Sequence, residues 1–269
     1  PQIIDNDTGL LRLDQRVSER DQLFLRYSFL SQRVDAFQLV AGQNPDTTTK
    51  SHQPRATWVR QWSPGRVSEF TFAFDRLGSL LIPEPNAVGP LVSTSNALRS
   101  LGPDGNIPID RAPNTFAPAG QLRQTGGAHA LTTGFEVRRL QMNGRETDVH
   151  RGFLSFSNDF GRDAITNLRM GTPTGGLISI GEVHRGFRNW AMKFYAADTL
   201  RVGSALTLDL WVLYNPITSP VEVNGLNRIP YPCDCNNVAP RTGVASSLPG
   251  RTGVLRGAYG MHYGAIFRV

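Results

Sequence analysis

The chain has 269 residues and a formal charge of +6, with 39% hydrophobic and 19% charged residues, 27 Gly and 18 Pro. That composition fits neither a disordered chain nor a helical membrane protein, and no run approaches the roughly 18 apolar residues of a transmembrane helix. The length suits one all-β domain, since sandwiches and barrels run to about 200–250 residues undivided; any membrane crossing is therefore expected to use strands.

Positive charge is carried almost wholly by arginine, Lys50 and Lys193 being the two lysines. The guanidinium fork suits phosphate, of nucleic acid or of lipopolysaccharide. No basic run of five or more residues occurs, so nucleic acid is not an expected partner. The chain opens at Pro1 without a charged and then apolar leader. An exported protein needs one, so the sequence is expected to be part of a longer protein. Cys233 and Cys235 form a CDC triplet. Two cysteines exclude a disulfide scaffold, and no second pair or nearby His completes a zinc set, so a plain loop with no metal or cofactor is expected.

Alternating stretches of about ten residues form five hairpins. The first pairs residues 9–17 with 22–31 across Ser18, Glu19, Arg20 and Asp21; Leu11, Leu13 and Val17 share one face, and Leu23, Leu25, Tyr27 and Phe29 another apolar one. The second pairs 52–62 with 67–77 across Ser63, Pro64, Gly65 and Arg66, and Phe70, Phe72 and Phe74 stand opposite Glu69, Thr71, Ala73 and Asp75. The third pairs 115–124 with 129–141 around Gly126 and Gly127, and Pro118 removes a ladder donor from its first strand. The fourth pairs 189–201 with 206–214 around Gly203, with Leu206, Leu208, Leu210, Val212 and Tyr214 on one face. The fifth pairs 237–247 with 253–263 across Pro249 and Gly250, setting Leu255, Tyr259, Met261 and Tyr263 opposite Arg256, Ala258, Gly260 and His262.

The connections between hairpins, 32–51, 78–114, 142–188 and 215–236, are long, so short and long links alternate strictly. An outer-membrane barrel has short periplasmic turns and long external loops, and ten residues tilted by roughly 40° span the about 25 Å of its apolar band. The expected fold is thus all-β: an antiparallel up-and-down transmembrane β-barrel sheet, a partial barrel of about ten strands filling residues 1–269. An extended stretch at Arg151–Ser157 and a short helix at Asp163–Met170 are assigned to an elaborated external loop.

Several blocks carry a family likeness in order: LDQRVSERDQLFLRYS (13–28), WVRQWSPGRVSEFTFAF (58–74), GAHALTTGFEVRR (127–139), RGFLSFS (151–157), FYAADTLRV (194–202), LTLDLWVLY (206–214), NNVAPRTGVA (236–245) and VLRGAYGMHYG (254–264). Together they resemble the barrel of Oar-like TonB-dependent transporters. The sequence departs from that pattern at Thr199 and Leu200, where the family leads one to expect an acidic and aromatic pair, and at Pro118. The resemblance implies a Gram-negative outer-membrane receptor of about 22 strands with a plugged lumen, of which this chain is a fragment without the plug or the N-terminal regulatory-like domain. It implies uptake of a bulky solute such as a metal chelate, glycan fragment or peptide, energised by TonB acting on the absent plug, with membrane lipid and lipopolysaccharide around the wall.

The candidate solute contacts are Arg26, Glu136, Arg138 and Asp209 on the lumen face, and Arg33, Asp35, Arg145, Glu146, Arg185 and Arg188 in the loops. Lipid-facing or girdle positions are Tyr27, Trp58, Trp62, Phe70, Phe72, Phe74, Leu208, Leu210, Tyr214, Tyr259 and Tyr263. No HExxH, GxSxG or complete phosphate loop occurs, and DNDTG at Asp5 is shorter than a calcium loop, so no enzymatic role is expected. A secreted β-sandwich is the rival reading, and it requires a second sheet over Phe70–Phe74. A barrel with an adhesive or secretion role is the other.

Overall fold

A computed structural model describes residues 2–39, 42–84, 87, 89–95, 97–145, 149–230, 232–248, 250 and 253–264. In chain order the elements are β1 (Ile3–Arg16), β2 (Asp21–Asp35), β3 (Asp46–Ser63), β4 (Arg66–Ile82), β5 (Leu91–Ser93), β6 (Ile109–Arg111), β7 (Asn114–Gly126), β8 (His129–Arg145), β9 (Phe153–Ser155), α1 (Ala164–Arg169), β10 (Gly175–Leu177), β11 (His184–Val202), β12 (Leu206–Tyr214), β13 (Val221–Glu222), β14 (Val238–Ser247) and β15 (Val254–Gly260). Among the described residues, ten long strands (β1–β4, β7, β8, β11, β12, β14 and β15) pair antiparallel with their neighbours in sequence order. The short β6 and β13 extend the same sheet to twelve strands. All five hairpins expected from the sequence are present.

Local chemistry fixes the turns. At the first, the Ser18 hydroxyl accepts from the amides of Arg20 and Asp21 and donates to the Asp21 carboxylate at 2.7 Å. At the third and fourth, Gly127 and Gly203 adopt φ of 56° and 63°, a region that side chains with a Cβ rarely enter. Pro118 interrupts the ladder as its missing N–H requires: β7 pairs with β8 at Phe116 and again at Ala119, but not between.

Register shows the strands to be tilted. Leu23, Trp58, Phe70, Gly120, Phe135, Phe194 and Tyr214 form one cross-strand row. Counted from the turn side, Leu23 is third in Asp21–Asp35, Phe70 fifth in Arg66–Ile82, Phe135 seventh in His129–Arg145 and Tyr214 ninth in Leu206–Tyr214. The row climbs two residues per hairpin, or one per strand. At about 3.3 Å rise and 4.8 Å spacing this is a tilt of about 35°, within the range of closed barrels.

Among the described residues the sheet has no second layer. The chain exposes 17149 Å², against about 11,600 Å² for a folded globular monomer of this mass. Phe70 and Phe72 are 43% and 45% exposed, so the phenylalanine face is uncovered and the sandwich reading is overturned.

The long connections carry a small cap. β9 pairs parallel with β5 and antiparallel with β10, which joins the 83–113 and 146–183 connections. Ile107, Phe156, Ala164 and Asn167 are buried there, and the Asn167 amide donates to the carbonyls of Ser157 and Asp159. Asp163 caps α1 by accepting from Thr166 N at 2.8 Å. The loop placement of both segments is as expected, although the extended stretch narrows from Arg151–Ser157 to Phe153–Ser155.

Candidate functional site: the two faces of the wall

Register divides the wall into two surfaces. One bears Leu11, Leu25, Tyr27, Trp58, Phe70, Phe72, Phe74, Phe116, Phe135, Phe194, Leu208, Leu210, Val212, Tyr214 and Tyr259, most of them exposed. The other bears Arg12, Arg26, Arg55, Thr71, Glu136, Arg138, Lys193, Thr199 and Asp209. Ala73, Ala197 and Ala239, the buried alanines of the sheet, all lie on this second face, so its small residues are covered by their neighbours.

The polar face is networked side to side. Glu136 lies against Arg138 on its own strand and is 4.0 Å from Lys193 on β11. Thr199 donates to Asp209 at 2.6 Å, Gln121 donates to Glu69 at 3.2 Å, and the hydroxyls of Thr57 and Thr71 share a hydrogen bond at 2.9 Å. Arg26, Glu136, Arg138 and Asp209 thus all fall on one face. The sequence alone did not reveal that Arg12, Arg26 and Arg55 are successive register partners; the juxtaposition needs the strand pairing. Arg12 is paired with Asp14 at 2.7 Å and lies 5.8 Å over Phe24.

The external candidates need correction. Arg33, Asp35, Arg145, Arg185 and Arg188 are not in loops but in strand extensions of β2, β8 and β11. Beyond the membrane both strand faces meet water, so the alternation that marks a strand stops while the hydrogen-bonded ladder continues. Glu146 lies outside the described residues. Arg185 and Arg188 also have structural work. Arg185 donates to Asn227 Oδ1 and to the carbonyls of Glu182 and His184, and Arg188 to Asn143 Oδ1 at 2.6 Å and to the carbonyls of Met142 and Phe187. Next to them the buried Glu222 accepts from the amides of Gly186, Asn224 and Leu226. Burial opposes its ionisation, but these amides and the nearby Arg185 outweigh it and hold the carboxyl below the ordinary glutamate range.

Most of the residues expected at the girdle lie on the apolar face. Trp58 and Trp62 turn their indole N–H groups to Asp21 Oδ1 and Ser68 Oγ, at 3.0 and 2.9 Å, and Arg60 lies 4.4 Å over Trp62. Tyr263 is the exception. It follows the end of β15, where alternation no longer applies, and lines a cleft with Glu136, Arg138 and Lys193 of the polar face. Cys233 and Cys235 are joined as a disulfide, a pairing of near neighbours that the triplet did not disclose.

A single tilted antiparallel sheet, apolar and bare on one face, polar on the other, with short turns at one end and long loops at the other, is the wall of a transmembrane β-barrel. The family model described as "Outer membrane beta barrel domain" matches residues 1–268, and the chain belongs to that family. It resides in the bacterial outer membrane. Among solved structures it is similar to P. aeruginosa FpvA bound to heterologous pyoverdines, with a TM-score of 0.56 and 12% identity over 93% of this chain and 34% of that one. The chain therefore spans about a third of FpvA, and the likeness is one of fold. Comparison with curated proteins finds no match.

Proposed function

We propose that this chain is wall and loops of a TonB-dependent outer-membrane receptor of the Oar-like type, taking up a bulky solute such as a chelate, glycan or peptide. The observation that supports it most is that nearly all of the chain follows the fold of a protein nearly three times its length that is seen with a pyoverdine–iron complex. The ordered blocks of sequence resemblance point the same way. In this reading the wall does no chemistry. Its polar face supplies side chains to the passage, its loop cap supplies recognition, and TonB engages a plug outside this chain.

The test uses the full-length protein. It is expected to bind the purified periplasmic C-terminal domain of TonB saturably and to leave liposomes impermeable to a small sugar in a swelling assay. No TonB binding together with free sugar entry would show an open diffusion pore and overturn the proposal.

A further inference from the structure

The register that lines up Arg12, Arg26 and Arg55 continues across the polar face. Arg55 stands opposite Ala73, Ala73 opposite Ala117, and Arg138 opposite Ala191. Phe116 paired with Arg139 and Ala119 with Glu136 set Ala117 level with Arg138. The row thus reads Arg12, Arg26, Arg55, Ala73, Ala117, Arg138 and Ala191. On the strands they share it lies three residues, about 10 Å, to the loop side of the row that holds Leu23, Trp58 and Phe70, so it crosses the wall itself and not the loops. At about 4.8 Å per strand, Arg55 and Arg138 are about 14 Å apart at the backbone. Only the methyl groups of Ala73 and Ala117 stand between them.

The charges along this row do not cancel. Asp14 pairs with Arg12, and Glu136 lies between Arg138 and Lys193. Asp75, next but one to Ala73 on the same face, is the remaining carboxylate at this level among the described residues. Five cations therefore face three carboxylates, and Arg26 and Arg55 are left without an ion pair. A like-charged register pair costs stability, and a local rule broken without a structural return marks a functional site. Each guanidinium takes a carboxylate or phosphate through two parallel hydrogen bonds, so two of them one strand apart suit two such groups on one molecule. We infer that Arg26 and Arg55, with Arg138 across the alanine floor, form a binding row for a polyanionic solute with closely spaced carboxylate or phosphate groups. This rests on the receptor reading above and narrows its solute to an acidic chelate, glycan or peptide. Carboxylates of a plug outside this chain are the other source of the same chemistry, and the experiment separates the two.

The experiment uses the full-length protein in detergent at low ionic strength, with heat-modifiable gel mobility as the check on folding. Phenylglyoxal labels accessible arginines, and peptide mass spectrometry reads each site. The probes are tricarballylate and inorganic pyrophosphate as polyanions, raffinose as a neutral solute and spermidine as a polycation. Arg26 and Arg55 are expected to label readily in the free protein and to be protected by either polyanion but by neither raffinose nor spermidine. In calorimetric titration, Arg26→Gln with Arg55→Gln should weaken polyanion binding about tenfold or more. Arg26→Lys with Arg55→Lys should retain part of it, and Arg76→Gln with Arg139→Gln, on the outward face, all of it. Arginines that resist the label without any probe would show carboxylates of the protein already in place and overturn the inference. Labelling without protection, equal protection by raffinose, or undiminished binding by the folded Gln pair would overturn it too. If the Gln pair does not fold, Arg55→Gln alone carries the test, with a loss of several-fold expected and no loss overturning it. TonB binding without polyanion protection would sink the row alone, whereas protection without TonB binding would uphold the row and sink the receptor reading.

Discussion

Arg26 on β2 and Arg55 on β3 stand directly opposite each other on the polar face of the sheet, and both are exposed. Like charges in this relation destabilise a strand pair, and among the described residues neither has an ion-pair partner. A dry core would not tolerate the pair, but a wet polar face screens it and leaves two guanidinium forks in solvent. Arg55→Gln is expected to leave the fold intact and to raise stability by up to about 1 kcal/mol at low salt, the gain shrinking as salt is added. Urea unfolding of the full-length protein at two ionic strengths checks this; a loss of stability would mean that the arginines hold partners within the barrel.

The sidedness of β4 gives a second prediction. Phe72 faces outward and Thr71 inward, one residue apart. Arginine at the lipid face near the midplane costs about 2–4 kcal/mol, while lumen positions accept it. Phe72→Arg should therefore fold poorly into vesicles and Thr71→Arg nearly normally, as read by heat-modifiable mobility after refolding.

Gly134 is closed in on the inner face. A Cβ there would lie 2.4 Å from Tyr195 Oη and 2.7 Å from the Gly120 carbonyl. Gly134→Ala should cost about 1–3 kcal/mol as overpacking. Adding Tyr195→Ala should recover only part of that, because the carbonyl remains. Gly126, with nothing within 4 Å of its Cβ position, is the control, its Ala variant staying within about 0.5 kcal/mol.

Glu222 predicts a pH response confined to the 215–237 connection and the end of β11 that it meets. Its carboxyl is depressed in the folded state, so the stabilisation it gives is present above the unfolded value near 4.3 and lost as pH falls through the lower folded value. Hydrogen exchange at the amides of Gly186, Asn224 and Leu226 should be slow and unchanged from pH 7 to 5, apart from the intrinsic rate, and should lose protection on further acidification. Glu222→Leu should remove that protection at every pH.

The parts legible from sequence were those where one strand face meets lipid and the other water. There Phe70, Phe72 and Phe74 alternate with Glu69, Thr71 and Ala73, and the hairpins can be drawn from alternation and turn residues alone. Legibility ended where that contrast ended. Arg145 and Arg185 belong to strands whose outer portions are wet on both faces, and Tyr263 lies past the end of its strand. The cap was out of reach for another reason. β5 and β9 are three residues each, and their partnership joins Leu91 to Phe153 across the chain, too short for periodicity and too distant for turn chemistry. The Arg12, Arg26 and Arg55 row was hidden because register, not spacing along the chain, brings it together.

In a barrel wall one face of the sheet meets lipid and the other water. Spin labels placed singly at Phe70, Thr71, Phe72, Ala73, Phe74 and Asp75, in full-length protein with Cys233→Ser and Cys235→Ser and reconstituted in vesicles, test this directly. Accessibility to oxygen should peak at 70, 72 and 74, and accessibility to a water-soluble nickel chelate at 71, 73 and 75. Two profiles in phase with each other, or chelate access at the phenylalanine positions, would contradict the barrel wall.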